Sequence, residues 1–191
     1  MSKVRRSAPR LKTASSKKER RVIVVGDSLL RGTEGPICRP DPTCRKVCCL
    51  LSCPLAQVRD ISRKPPGLIR PSDYYPLLIV QSSSDEVADR SLRAIKDDFK
   101  GVGRLVDNAG IQEVFAGIPT VAGIDNAITR KTHRINTWMR GWCKHKNLGF
   151  FGHGAVYSAP GLRSADGYHL SQRGKWILAQ ELAGLVERSL N

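Results

Sequence analysis

The 191-residue sequence is short of acids, aromatics and long apolar runs, and each shortage excludes something. Apolar runs such as Val22–Val25 and Leu77–Val80 stop at four residues, where a bilayer-spanning helix needs about 20, so no membrane-spanning segment is expected. The basic N-terminus leads into no apolar stretch of the kind a secretory signal carries. A reducing compartment, cytoplasmic or nuclear, is therefore expected, and disulfides are not. Aromatic residues make up 6% of the chain and the first is Tyr74, so nothing ahead of that position can build a base-stacking platform. Gly26–Gly32 lacks the Gly-x-Gly-x-x-Gly spacing that cradles a dinucleotide phosphate, which sets aside a Rossmann or P-loop function.

The scarcity of acids leaves 17 Asp/Glu against 32 Lys/Arg and a formal net charge of +15. Residues 1–21 hold nine Lys/Arg and one acid, a net of +8, while the rest carries +7. Rich in Ser, Lys and Arg and without an apolar period, residues 1–20 read as a disordered basic arm, either a solvated tail or one that contacts phosphates or serves as an import signal. RNA contact through such an arm would be non-specific, electrostatic and weakened by salt. Residues 21–191 suffice for one domain, since a chain of this length buries roughly two thirds of its unfolded surface.

From Arg21 onward, short β-branched runs alternate with segments of helical period, the pattern of strands and crossover helices around a parallel sheet. The expected class is α/β. Val22–Val25, Leu77–Gln81 and Val114–Ile118 read as strands buried on both faces, with Val47–Leu51 and a short Leu148–Phe151 making about five. Leu92, Ile95, Phe99, Val102, Leu105 and Val106 form one helical stripe that ends at Asn108–Ala109–Gly110. Ile135, Trp138, Met139, Trp142 and Cys143 form a second, and Ile177, Leu178, Leu182, Leu185 and Val186 a third; the aromatic positions read as core. Pro65–Pro66–Gly67 interrupts any helix attempted from Val58.

Two short motifs could carry chemistry. Gly26–Asp27–Ser28–Leu29–Leu30 stands where the first buried strand ends, and parallel sheets place their binding crevice at that end of the strands. Ser28 is either a nucleophile there or simply the N-cap of the next helix. About 140 residues later, Asp166–Gly167–Tyr168–His169–Leu170–Ser171 precedes the last helix. A serine hydroxyl becomes nucleophilic when a histidine takes its proton and a carboxylate fixes that histidine's tautomer, roles His169 and Asp166 could fill. Alone, Asp-x-x-His also describes a surface turn with an ordinary loop acid.

Taken together, the two ends resemble the GDSL or SGNH hydrolases, serine esterases and lipases of flavodoxin-like α/β/α architecture. The resemblance spans residues 21–190 and implies Ser28 as nucleophile, His169 as general base and Asp166 as orienting acid. It implies carboxylic esters, acyl or acetyl groups on lipids, as the substrate class, with no metal or organic cofactor. Val24–Glu34, Pro36–Pro40, the Val47–Cys49 run and the Gly-His-Gly beyond Phe151 further resemble the esterase domain in the first open reading frame of chicken-repeat non-LTR retrotransposons.

The sequence departs from that pattern at the oxyanion hole. The resembled family uses the nucleophile's own N–H, a glycine N–H in a second block and an asparagine amide in a third. Ser28 keeps the first donor, whereas the second block reads Pro54–Leu55–Ala56, leaving the Leu55 N–H with a side chain beside it. The third block reads Ser82–Ser83–Ser84–Asp85–Glu86, which puts Asp85, or Ser84 after a one-residue slip, at the asparagine. Loss of one such donor costs about 10²–10³ in turnover, and an ionised Asp85 would also repel the developing oxyanion. The expectation is a triad of impaired activity. The rival expectation is a non-catalytic scaffold of the same fold that binds RNA or associates with itself.

Five of the six cysteines, Cys38, Cys44, Cys48, Cys49 and Cys53, cluster closely. Their spacing nominally suits zinc. Adjacent Cys48 and Cys49 on a strand, however, point to opposite faces and cannot share an ion, which favours small buried thiols. His133 and His145 read as surface positions on a helix. His153, in Gly-His-Gly, reads as a structural loop histidine or a second base.

Overall fold

The computed structural model describes residues 19–39, 46–52, 69–107, 109–120, 125–165 and 169–190, with only the backbone of 46–52 and of Glu86. The basic arm up to residue 18, Cys44, Cys53, Leu55, Pro65–Pro66 and Asp166 lie outside the described residues, as do the side chains of Cys48 and Cys49.

Five strands form one parallel sheet: β1 (Arg20–Gly26), β2 (Lys46–Ser52), β3 (Leu77–Gln81), β4 (Gln112–Ala116) and β5 (Gly149–Phe151). Their order is β2-β1-β3-β4-β5, the flavodoxin-like doubly wound order. Val24 pairs with Leu50 on one side and Ile79 on the other, so β1 is central. The helices are α1 (Glu34–Ile37), α2 (Asp85–Asp89), α3 (Leu92–Val106), α4 (Asn126–Lys146) and α5 (Gln172–Leu190), with 3-10 turns at Ser28–Leu30 and Val156–Ser158.

Successive strand side chains face opposite sides, and both sides are covered. Val22, Val24, Leu77, Ile79, Val114 and Ala116 pack with Ile37 of α1 and with Leu178, Leu182, Leu185 and Val186 of α5. Ile23, Val25, Leu78, Val80 and Phe115 pack with Ile95, Phe99 and Val102 of α3 and with Ile135, Met139 and Cys143 of α4. Burial on both faces is why these strands read as unbroken apolar runs. Each fully buried Val, Leu, Ile or Phe contributes about 1.5–3 kcal/mol. Capping side chains start α3 and α4: Ser91 Oγ accepts the Ala94 N–H at 3.1 Å, and Asp125 Oδ1 accepts the Ala127 N–H at 2.9 Å.

Three expectations shift. The fourth strand ends at Ala116, two residues before the expected Ile118. There Asn136 of α4 takes over the backbone, its Oδ1 accepting the Ile118 N–H at 2.8 Å and its Nδ2 donating to the Ile118 carbonyl at 2.9 Å. Leu105 is 39% exposed, so it leaves the buried stripe of α3. Trp138 and Trp142 stack with ring centroids 5.3 Å apart at the edge of the core and are only half-buried, with the Lys96 ammonium 5.5 Å from the Trp138 ring.

Candidate active site

The direction of winding reverses at β1, with β2 on one side and β3 on the other, and such a reversal opens a crevice at the carboxyl ends of the strands. Gly26 ends β1 there. A Cβ at this position would lie 2.4 Å from the Gln81 carbonyl oxygen and 2.7 Å from Leu30 Cδ1, so glycine is what lets β3 and the following turn close in. Asp27 then fastens the two strand exits. Its Oδ1 accepts the Leu29 N–H and its Oδ2 the Ser83 N–H, both at 2.9 Å. Burial raises the Asp27 carboxyl above its ordinary pKa, against the pull of its hydrogen bonds with Ser83 and Leu29.

Asp27, not Ser28, is the N-cap of the Ser28–Leu30 turn. The capping role that Ser28 could have filled is therefore taken, and its half-buried hydroxyl makes no hydrogen bond among the described residues.

His169 reaches the same end of the sheet from the loop before α5. Its carbonyl accepts the Ser164 N–H at 2.7 Å, and the next residue, Leu170, is 4% exposed and anchors the loop in the core. Ser171 Oγ accepts the Gly174 N–H at 3.1 Å and donates to the Gly161 carbonyl at 2.7 Å, which closes the loop onto the first turn of α5. The His169 imidazole is thereby left about half exposed, with Nε2 3.1 Å from Asp85 Oδ2. Asp85 opens α2, and its N–H donates to Ser83 Oγ at 3.3 Å.

Leu29, Ser83, Ser84, Asp85, Pro119 and His169 line a crevice of about 20 Å³, room for little more than one water. The structure thus gathers the Ser28 turn, the Ser83–Asp85 segment and His169 at one sheet end. A neutral imidazole that donates its Nε2 proton to Asp85 carries its lone pair on Nδ1. In that tautomer Nε2 cannot accept the proton of a serine. Among the described residues no group of three or more His, Cys, Asp or Glu could hold a metal ion, and Cys143 is a buried free thiol.

One polar constellation beside the crevice escaped the sequence reading. His153 is buried, with Nε2 2.9 Å from Gln81 Oε1 and Nδ1 3.1 Å from Glu181 Oε1. The Tyr157 hydroxyl donates to the same Glu181 oxygen, and Gln81 Nε2 donates to the carbonyls of Ser82 (2.9 Å) and Gly117 (3.0 Å). Burial pushes the Glu181 carboxyl up, but hydrogen bonds from His153 and Tyr157 and the charge of His153 outweigh it and hold the pKa below its ordinary value. Burial, then the bond to Glu181, raises the Tyr157 phenol. The signals were His153 itself, in Gly-His-Gly, and Glu181 interrupting the apolar stripe of α5 beside Leu182. His153 is thus occupied on both nitrogens, whereas His133 and His145 are exposed as expected.

No family model matches this sequence, and no curated protein matches it. Solved structures do. A member of the lipolytic G-D-S-L family from Veillonella parvula superposes with a TM-score of 0.70 at 12% identity, covering 87% of this chain and 97% of that one. The psychrotrophic esterase EstA from Pseudoalteromonas sp. superposes at 0.63 and 11% identity, covering 91% and 100%. The esterase domain of the ZfL2-1 ORF1 protein from the zebrafish ZfL2-1 retrotransposon matches at 21% identity over 88% and 99%, but its TM-score of 0.44 is too low to support an argument. The chain has the fold of the GDSL lipolytic proteins.

Proposed function

We propose that this chain is a serine hydrolase of carboxylic esters, acyl or acetyl esters of lipids, in which Ser28 is the nucleophile, His169 the general base and Asp166 the orienting acid. Turnover is held low by Asp85. One observation carries the reading: the turn that begins at Ser28, with its cap supplied by Asp27, and the loop that carries His169 meet in one crevice at the switch point of the sheet. Ser28 Oγ attacks the ester carbonyl carbon and His169 takes the hydroxyl proton. The carbonyl oxygen becomes the oxyanion and then collapses, and the alcohol leaves with the proton from His169. Water repeats the sequence on the acyl-enzyme. Neither a metal nor an organic cofactor enters.

The oxyanion donors available are the Ser28 N–H and the Leu55 N–H, with Asp85, or Ser84, where an amide would serve. Asp85 acts twice against the reaction. Its carboxylate repels the developing oxyanion, and it holds the imidazole nitrogen that should face Ser28. Catalytic hydrogen bonds often close only in the substrate complex, so an unmade Ser28–His169 bond in the free chain is compatible with turnover. The test is hydrolysis of a short-chain p-nitrophenyl ester by the purified chain beside Ser28→Ala. Slow turnover that disappears in the variant is expected; equal rates in two folded proteins would sink the ester-hydrolase reading.

A second reading draws on the same Asp85–His169 contact together with the net charge of +15. There the fold serves as a scaffold that associates with RNA or with further copies of itself. On that reading Ser28→Ala changes nothing measurable, and removing residues 1–18 abolishes binding to RNA.

A further inference from the structure

A second cavity, about 340 Å³, opens at the carboxyl ends of β4 and β5, within the size range of small-molecule sites. One wall is a single face of α4, because His133, Asn136, Thr137 and Arg140 follow the i, i+3, i+4, i+7 spacing. Asn136 is committed to the backbone of Ile118, and both nitrogens of His153 are engaged by Gln81 and Glu181. The groups left to meet a ligand are the Arg140 guanidinium, the His133 imidazole and the hydroxyls of Thr120, Thr137 and Ser158. Among the described residues no acid lines the cavity.

Arg140 is the decisive group. Its guanidinium has no carboxylate partner among the described residues and lies 5.5 Å from the Phe150 ring centroid. A guanidinium whose charge lies over an aromatic ring spends no N–H on that contact and keeps its fork for an oxyanion. The Gly152 position adjoins it, a Cβ there lying 3.4 Å from Arg140 Nη2, an ordinary contact. Among the described residues, an unpaired guanidinium, three hydroxyls and an imidazole with no acid opposite form a receptor rich in donors. Such a receptor suits a group with several acceptor oxygens. The volume exceeds that of bare phosphate, and Ile118 and Phe150 offer apolar wall to an attached organic body.

We propose that this cavity binds the phosphate group of a small organic phosphate monoester. The loop leaving β4 is shared with the crevice, Pro119 lining the crevice while Ile118 and Thr120 line the cavity, so a bound ligand would lie beside the Ser28–His169 site. Binding does not depend on the hydrolase reading and is measurable in the Ser28→Ala chain.

Calorimetric titration of the full chain with glycerol 3-phosphate and with glycerol, at fixed ionic strength, tests the site. Saturable binding of the phosphate and none of glycerol is expected. Arg140→Gln should weaken binding at least tenfold and Arg140→Lys less. Arg104→Gln on α3 should leave it within twofold. Both glutamine variants remove one positive charge, so a difference between them reads the cavity and not the net charge of +15. Co-sedimentation with phosphatidic acid or phosphatidylcholine vesicles separates the sources: Arg140-dependent capture by phosphatidic acid alone, without glycerol 3-phosphate binding, assigns the phosphate to a lipid. Equal weakening by Arg140→Gln and Arg104→Gln would overturn the proposal, as would the absence of saturable binding to either phosphate source.

Discussion

In the proposed mechanism, Asp85 is the residue on which the chemistry turns. Its carboxylate lies 3.1 Å from the Nε2 of His169, the nitrogen that the proposed mechanism turns towards Ser28, and that mechanism puts it where a neutral amide would help and an anion hinders. Asp85→Asn removes the charge, keeps the size and restores a donor. Its kcat/KM on a short-chain ester at neutral pH should rise by about 10²-fold, the scale of one oxyanion donor. No gain would place Asp85 outside the oxyanion region. The places of Ser28 and His169 at one end of the sheet were legible because each follows or precedes an element whose apolar pattern is plain. The Asp85–His169 contact was not, since it joins residues 84 apart through loops whose path no local pattern dictates. The His153 network was hidden for the same reason, its partners Gln81 and Glu181 being 72 and 28 residues away.

Among the elements, β1 and β3 set the site. Their registered pairing runs to Gly26 opposite Gln81, where the strands come too close for any side chain on β1. Gly26→Ala must push either a strand backbone or Leu30, and overpacking of this kind costs about 1–3 kcal/mol. A lowered denaturation midpoint at unchanged m is the expected outcome; wild-type stability would show that the strand ends can separate freely. The strands themselves were readable because both of their faces are covered. The end of β4 was not, because Ile118 looks like strand by composition but has its backbone groups claimed by Asn136 of the neighbouring helix. Trp138 and Trp142 misled in the other direction, matching a core stripe in period while lying at its margin.

For the molecule as a whole, the sheet buries an acid that it does not pair among the described residues. Glu113 in β4 is 4% exposed, with neither carboxylate oxygen hydrogen-bonded among the described residues. Burial, then the charge of Asp107, pushes its carboxyl up to about 8. Burial, then the Glu113 charge, pushes the Cys143 thiol up to about 12. A carboxyl raised in the folded state favours folding least when the solvent would ionise it. Its effect is absent below about 4.5 and grows as the pH climbs towards 8, weakening the fold by at most about 5 kcal/mol. Glu113→Gln stays neutral throughout, so its stability should fall less between pH 5 and 8 than that of the wild type, read by denaturant unfolding at each pH. Parallel curves would mean that Glu113 is ionised in the fold. The doubly wound architecture was legible from the alternation of strands and helices. This buried acid was not, because Glu113 reads as lying just outside a strand that in fact begins at Gln112.

The central claim is that Ser28 and His169 form a hydrolytic site restrained by Asp85. The most direct measurement is p-nitrophenyl ester hydrolysis by the wild type, Asp85→Asn and Asp85→Asn/Ser28→Ala, each confirmed as folded by its melting transition. A gain in the single variant that is lost in the double variant is the expected result. A gain that survives without Ser28, or three indistinguishable rates at the level of buffer, would contradict it.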